Sequence, residues 1–127
     1  MSSMEEQLAE CVQRCQEQMA HAWVVRAFVR HSDEIEDFPE LTNICRAIFD
    51  LSRALETRVD DPVGYFKMLT KKLGKFRVAV DEYSKLIPEI STHTNFGQSV
   101  ISTQVCARVL GESLDKAKKI AIANTSK

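Results

Sequence analysis

The sequence predicts an all-α protein, an antiparallel up-down-up-down four-helix bundle that forms a single domain over residues 1–127. Apolar residues recur at alternating spacings of three and four in four separate segments, and no segment alternates with the period of two that strands show. Only four Gly and three Pro interrupt the chain. Short turns between amphipathic helices make neighbouring helices antiparallel.

The first helix is predicted over residues 3–31. Its apolar stripe starts at Met4 and Leu8 and widens after Ala20 until the helix is apolar almost all round. A helix of this kind has to be covered by the other helices. We therefore expect its second half to lie at the centre of the bundle.

The second helix is predicted over residues 38–58. Asp37 and Glu40 are spaced as in a capping box, and Pro39 is tolerated in a first turn because its missing N–H has no partner there. At the other end, Arg58 suits the negative end of the helix dipole.

The third helix is predicted over residues 62–87, with Asp61 as its cap and Pro62 in its first turn. Pro88 is expected to end it. Gly74 inside the helix costs roughly 1 kcal/mol against Ala. Either a close helix crossing or simple tolerance explains that glycine.

The fourth helix is predicted over residues 95–122. Its apolar stripe begins at Phe96 and Val100 and reaches Ala121. The polar residues 91–95 offer several N-cap candidates in a row.

The charge balance argues against nucleic acid as a partner. The chain has 17 basic and 18 acidic residues and a net charge of -1, whereas binding to nucleic acid usually needs a basic excess. Two lysine clusters, one at residues 71, 72 and 75 and one at 116, 118 and 119, are interpreted as solvated helix faces.

We expect a cytoplasmic protein. The N-terminal residues lack the basic and apolar segments of a secretory signal, and no stretch of about 18 apolar residues could span a membrane. The four cysteines are therefore expected to be reduced.

The motifs of common catalytic sites are absent from the sequence. There is no G-x-S-x-G elbow, no phosphate-binding glycine loop and no H-E-x-x-H pair. This favours a non-enzymatic protein. A phosphoryl- or electron-transfer role for His21 is a weaker alternative.

Two predicted turns meet at one end of the bundle, the first at residues 31–37 and the third at residues 88–95. They bring His31 and His93 close to carboxylates such as Glu34. Imidazole and carboxylate groups bind divalent transition metals, so His31, Glu34 and His93 form a candidate metal site. The alternative is that the acidic residues only solubilise the turn and cap the second helix, while Ser91, Thr94 or Asn95 caps the fourth. No other cofactor is expected.

Arg26 is a cation on a largely apolar helix, and an unpaired buried charge is costly. Arg26 lies at about the same position along the bundle axis as Glu82 and Tyr83 on the third helix. We therefore predict a structural pair between Arg26 and one of these two residues. Alternatively, His21, Trp23 and Arg26 line an internal pocket for an acidic ligand.

The leading functional hypothesis is a helical interaction or scaffold module that forms a homodimer or binds another protein. The first and fourth helices carry more apolar residues than one buried face requires, and this surplus suggests a shared interface. The alternative is a metal- or small-ligand-binding bundle with its site at the end formed by residues 31–37 and 88–95. The surplus residues are Trp23, Val24, Phe28, Ile101, Val105, Val109 and Ile122.

Overall fold

The computed structural model describes residues 3–125, apart from the side chains of residues 122, 124 and 125. Within that range the chain is helical and contains no strand, which confirms the predicted all-α class and a helical bundle with four long helices. None of the helices in the described residues is long and apolar enough to cross a membrane. The helices are α1 (Met4–Arg30), α2 (Glu34–Asp37), α3 (Thr42–Glu56), α4 (Pro62–Ile90) and α5 (Thr94–Thr125).

Helix α1 begins at a side-chain cap. The Ser3 hydroxyl accepts a hydrogen bond from the Glu6 N–H at 3.1 Å, which satisfies one of the free donors at a helix start. One face of the helix is buried along its whole length, because its apolar residues follow the three-four spacing. The buried residues are Leu8, Cys11, Val12, Cys15, Met19, Ala22, Val25 and Val29.

The predicted start of the second long helix is wrong. The residues between α1 and α3 form the short helix α2 and then a 3-10 turn over Pro39–Leu41, so Asp37 ends α2 and does not cap α3. The residue before a proline is pushed out of the helical region, and Phe38 is indeed non-helical at φ -127° and ψ 77°. The Arg58 guanidinium donates to the Ala54 carbonyl at 3.0 Å near the C-terminal end of α3.

Helix α4 begins as the sequence predicts but ends later. The Asp61 carboxylate accepts from the Gly64 N–H at 3.1 Å, and Pro62 occupies the first turn. Pro88 lies inside the helix, which continues to Ile90. Its last turn closes because the Ser91 N–H donates to the Ile87 carbonyl at 2.9 Å. A proline this close to the end removes only one helical hydrogen bond.

A buried hydrogen bond joins the first turns of α5 to α4. The Ser99 hydroxyl donates to the Phe96 carbonyl at 2.6 Å, so the Tyr83 hydroxyl donates to Ser99 across the 2.6 Å between their oxygens. A second polar contact in the interior joins Tyr65 of α4 to α1, where its hydroxyl donates to Gln16 Oε1 at 2.8 Å.

Each long helix packs against two others: α1 and α4 each lie between α3 and α5. This leaves two distinct outer surfaces on α1. We call the surface shared with α5 the α1/α5 seam, defined by Val24 and Phe28 of α1 and by Gln98 and Ser102 of α5. The other surface is shared with α3 and carries the arginines described below.

Candidate functional site

The predicted metal ligands lie around the turn after α1 and the start of α5. The Phe28 and Phe96 rings are in contact at 4.9 Å between centroids, which joins the end of α1 to the start of α5. His31 is the exposed C-cap of α1, and its N–H donates to the Ala27 carbonyl at 3.1 Å. Glu34 is the half-buried first residue of α2.

His93 serves as a helix cap in this structure. Its Nδ1 accepts a hydrogen bond from the Asn95 N–H at 3.1 Å, and its own N–H donates to the Ser91 hydroxyl at 3.1 Å. The imidazole therefore satisfies a free donor of the first turn of α5. A metal at Nδ1 would have to displace that hydrogen bond, which leaves Nε2 as the free ligand atom.

Residues 3–125 contain no group of three His, Cys, Asp or Glu side chains placed to hold a metal ion. The sequence interpretation named Ser91, Thr94 or Asn95 as the cap of this helix, whereas the side chain that accepts from the Asn95 N–H is His93. The metal site at His31, Glu34 and His93 stays a prediction.

The three residues predicted to bind an acidic ligand are placed differently from one another. His21 is exposed on α1. Trp23 is 40% exposed, and its ring lies 6.1 Å from the Phe49 ring of α3. Arg26 lines a cavity that forms an open groove between α1 and α3.

The predicted pair between Arg26 and Glu82 or Tyr83 is wrong. The Arg26 guanidinium carbon lies 4.5 Å from the Trp23 ring centroid and 5.1 Å from the Phe49 centroid. Arg26 therefore faces α3, whereas Tyr83 belongs to α4 and is engaged with Ser99. A cation over the faces of two aromatic rings is stabilised without a carboxylate.

The groove beside Arg26 has a volume of about 390 Å³ and is rich in arginine. Arg26 and Arg30 come from α1 and Arg46 comes from α3. The apolar side chains Ile35 and Phe49 line it as well, and no acidic residue does. We call it the arginine groove; its lining residues are Arg26, Arg30, Ile35, Thr42, Cys45, Arg46 and Phe49.

The positive charge of the arginine groove is uncompensated within the described residues. None of the ion pairs in the described residues involves an arginine of the groove. Those pairs join Arg53 to Glu56, Lys85 to Asp81 and Arg108 to Glu112. The Arg26 Nε is buried and has no hydrogen-bond partner in the described part of the chain.

Cys45 lines the arginine groove, and the pKa of its thiol is affected by the positive charge there. Its thiol donates to the Arg26 carbonyl across 3.8 Å. Burial raises the pKa of the Cys45 thiol, and the nearby charges of Arg26 and Arg30 partly offset that rise. The thiol is therefore protonated near neutral pH and is no nucleophile there.

The other cysteines are unsuited to chemistry for the same reason. Burial raises the pKa of Cys15 to about 11 and that of Cys106 to about 12, and it raises the pKa of Cys11. All four cysteines are buried and free. Since the thiolate is the reactive form, these side chains act as small apolar core residues.

A second groove of about 390 Å³ lies on the other side of α3, between α3 and α4. Arg46 lines both grooves. The second groove adds Arg53, Lys72 and Lys75, but it also contains Asp50, and Arg53 is already paired with Glu56 at 2.8 Å. Its positive charge is thus partly neutralised, unlike that of the arginine groove.

The sequence interpretation missed Arg30 and Arg46. A signal for Arg30 was present, because it follows Arg26 by four residues and so lies on the same face of α1. What the arrangement offers chemically is an anion-binding surface with an apolar wall. No protein-family model, curated protein or solved structure matches this chain.

Proposed function

We propose that this protein is a non-enzymatic helical interaction module that self-associates through the α1/α5 seam. The observation that carries the proposal is the exposure of large apolar side chains on α1, within the seam, and on the neighbouring α5. Val24 is 67% exposed and Ile101 is 52% exposed. Apolar side chains grouped on one surface favour a protein–protein interface.

The surrounding residues support a shallow docking surface. Val24 and Phe28 line a groove together with Gln98 and Ser102 of α5. Phe28 and Val105 are half-buried. Val109 is buried in the monomer, so the apolar surplus is smaller than the sequence alone suggested. The side chain of Ile122 lies outside the described residues.

The outer face that α1 and α5 form together, of which the seam is a part, is large enough for a second copy of the chain. A helix rises about 1.5 Å per residue and is about 10 Å wide, so two helices the length of α1 present a face of about 40 by 20 Å. That area is close to the roughly 800 Å² that each partner of a standard interface buries. A two-fold axis through the seam would pair the same apolar patch with itself.

The proposal includes the antiparallel up-down-up-down topology within a single domain. Contacts between α1 and α5 support it: Phe28 near the end of α1 packs on Phe96 near the start of α5, while Cys15 in the middle of α1 interacts with Ser113 further along α5. We also propose a cytoplasmic location, where four free cysteines remain reduced.

The test is the oligomeric state at micromolar concentration, measured by sedimentation velocity. We expect a dimer for the unchanged protein. Val24→Glu should weaken dimerisation by about a hundredfold, because a carboxylate would be buried without a partner. Circular dichroism should show an unchanged helix content, since the Val24 side chain is exposed in the monomer.

Val78→Glu is the matched control. Val78 is 58% exposed on α4 and does not line the groove between α1 and α5, so this variant should remain dimeric. A strictly monomeric unchanged protein would refute the proposal. Equal dissociation by Val78→Glu would show that the seam is not the interface.

A further inference from the structure

We propose that the arginine groove binds a small organic phosphate, with the phosphate held by Arg30 and Arg46 and the organic body lying on Ile35 and Phe49. All four side chains line the same cavity between α1, α2 and α3. The site is separate from the α1/α5 seam, so this inference does not depend on self-association.

The charge of the groove favours an anion. Three arginines line it, no acidic side chain does, and none of the three forms an ion pair within the described residues. Like charges gathered without counter-charges repel one another. A bound dianion would reverse that repulsion, and the planar guanidinium group matches the geometry of phosphate oxygens.

Arg26 is fixed in place by stacking, not by a carboxylate. Its guanidinium lies over the rings of Trp23 and Phe49 at 4.5 and 5.1 Å. Its charge therefore remains available to the groove while its position is set. Groups that are already positioned lose less entropy when a ligand binds.

The wall and the size of the groove favour a small molecule with an apolar body. Ile35 and Phe49 are both half-buried and leave part of their surface open to the groove. The volume of about 390 Å³ lies within the range of about 300–1,000 Å³ that is typical of ligand pockets.

Acidic residues on the α2 side of the groove disfavour a long polyanion. Ile35 is the one residue of α2 that lines the groove, and its neighbours Glu34 and Glu36 are carboxylates. An extended chain of phosphates would meet like charge on that side, whereas a single phosphate would not.

Phenyl phosphate is the probe for the test, with titration calorimetry at about physiological salt as the measure of affinity. We expect saturable binding of one molecule per chain, at least about tenfold tighter than inorganic phosphate because the ring adds apolar contact with Phe49 and Ile35. Fluorescence gives a second readout, because Trp23 is the single tryptophan and contacts Arg26.

Arg30→Gln and Arg46→Gln should each weaken phenyl phosphate binding by about tenfold, the usual effect of losing one charged hydrogen bond. Both side chains are exposed, so the fold should tolerate the changes. The control is Arg14→Gln, which removes an exposed arginine from the same helix about 24 Å from Arg30. We expect it to bind phenyl phosphate as the unchanged protein does.

Three results would overturn the proposal. The first is no saturable binding of phenyl phosphate at millimolar concentration. The second is equal affinity for phenyl phosphate and inorganic phosphate, which would remove the role of the apolar wall. The third is an equal loss of affinity in Arg14→Gln, which would show attraction to the protein's charge in general.

Discussion

The α1/α5 seam and the arginine groove share helix α1 but have opposite chemistry. Val24 and Phe28 belong to the seam, whereas Arg26 and Arg30 line the groove. An offset of two residues in a helix is a rotation of about 200°, so two interleaved pairs four residues apart point to opposite sides. A single stretch of α1 thus contributes to two surfaces.

The difference between the two surfaces is set by the residues of α1 that lie outside its buried apolar face. Val25 and Val29 are buried between the two surfaces and fix the orientation of α1 against its neighbours. Once that orientation is set, each remaining position faces a known direction. An exposed valine on one side and an arginine without an ion pair on the other are the features from which we propose different partners for the two surfaces.

Alkaline pH should produce the largest effect, because it tests whether the interior between the two surfaces excludes charge. The pKa of the Cys15 thiol is raised from 9.0 to about 11 by burial. The stabilisation that this shift gives is fully present below about pH 9 and is lost as pH rises through about 11. At about pH 11, Cys15 alone should account for a loss of about 2 kcal/mol.

Urea unfolding measured from about pH 8 to about pH 11 checks this, with helix content as the signal. Cys15→Ala should make the free energy of unfolding depend less steeply on pH, even if the substitution lowers that free energy at neutral pH. An unfolding free energy that stays constant up to about pH 11 would mean that the buried thiols ionise freely in the folded protein.

The sequence was sufficient to predict the long helices, because their apolar residues keep the three-four spacing almost without interruption. In α4, Phe66, Leu69 and Leu73 continue the spacing that ends at Ile87, and all are buried. The errors lie where proline intervenes. Pro39 separates α2 from α3 through the conformation of Phe38, whereas α4 continues for two residues beyond Pro88.

The candidate site was only partly visible in the sequence. Arg26 stood out as a cation on an apolar helix, but its partner was predicted from height along the bundle alone. Height does not fix the direction around the helix axis, and Arg26 turns toward Phe49 of α3 while Tyr83 lies on α4. Arg46 belongs to α3, so its proximity to Arg26 and Arg30 depends on how α1 packs against α3.

Helix α4 offers a smaller test away from both surfaces. A side-chain carbon added at Gly74 would meet no atom within 4 Å, which favours simple tolerance over a close crossing. Gly74→Ala should therefore raise the unfolding free energy by about 0.5–1 kcal/mol through helix propensity. Thermal unfolding followed by circular dichroism measures the gain.

Gly111→Ala is the matched comparison in α5. There the added carbon would run into the Arg77 guanidinium, which has to move aside, so the gain should be smaller than at Gly74. Combining Gly111→Ala with Arg77→Ala should restore part of it. Equal gains from the two single glycine changes would show that the Arg77 contact has no energetic effect.

The smallest expected effect distinguishes the charges of the groove from an ordinary surface pair. Arg46→Gln should raise stability by a few tenths of a kcal/mol at low salt, because it relieves repulsion from Arg26 and Arg30. Arg108→Gln removes an exposed pair with Glu112 at 3.6 Å and should lower stability by a similar amount.

Thermal unfolding of both variants at low and high salt measures these opposite signs. At about 1 M salt both differences should disappear, since charges are then screened over about 3 Å. If Arg46→Gln lowered stability at low salt, the arginine would have to be compensated by a charge in the folded protein. The groove would then lack the free positive charge that separates it from the α1/α5 seam.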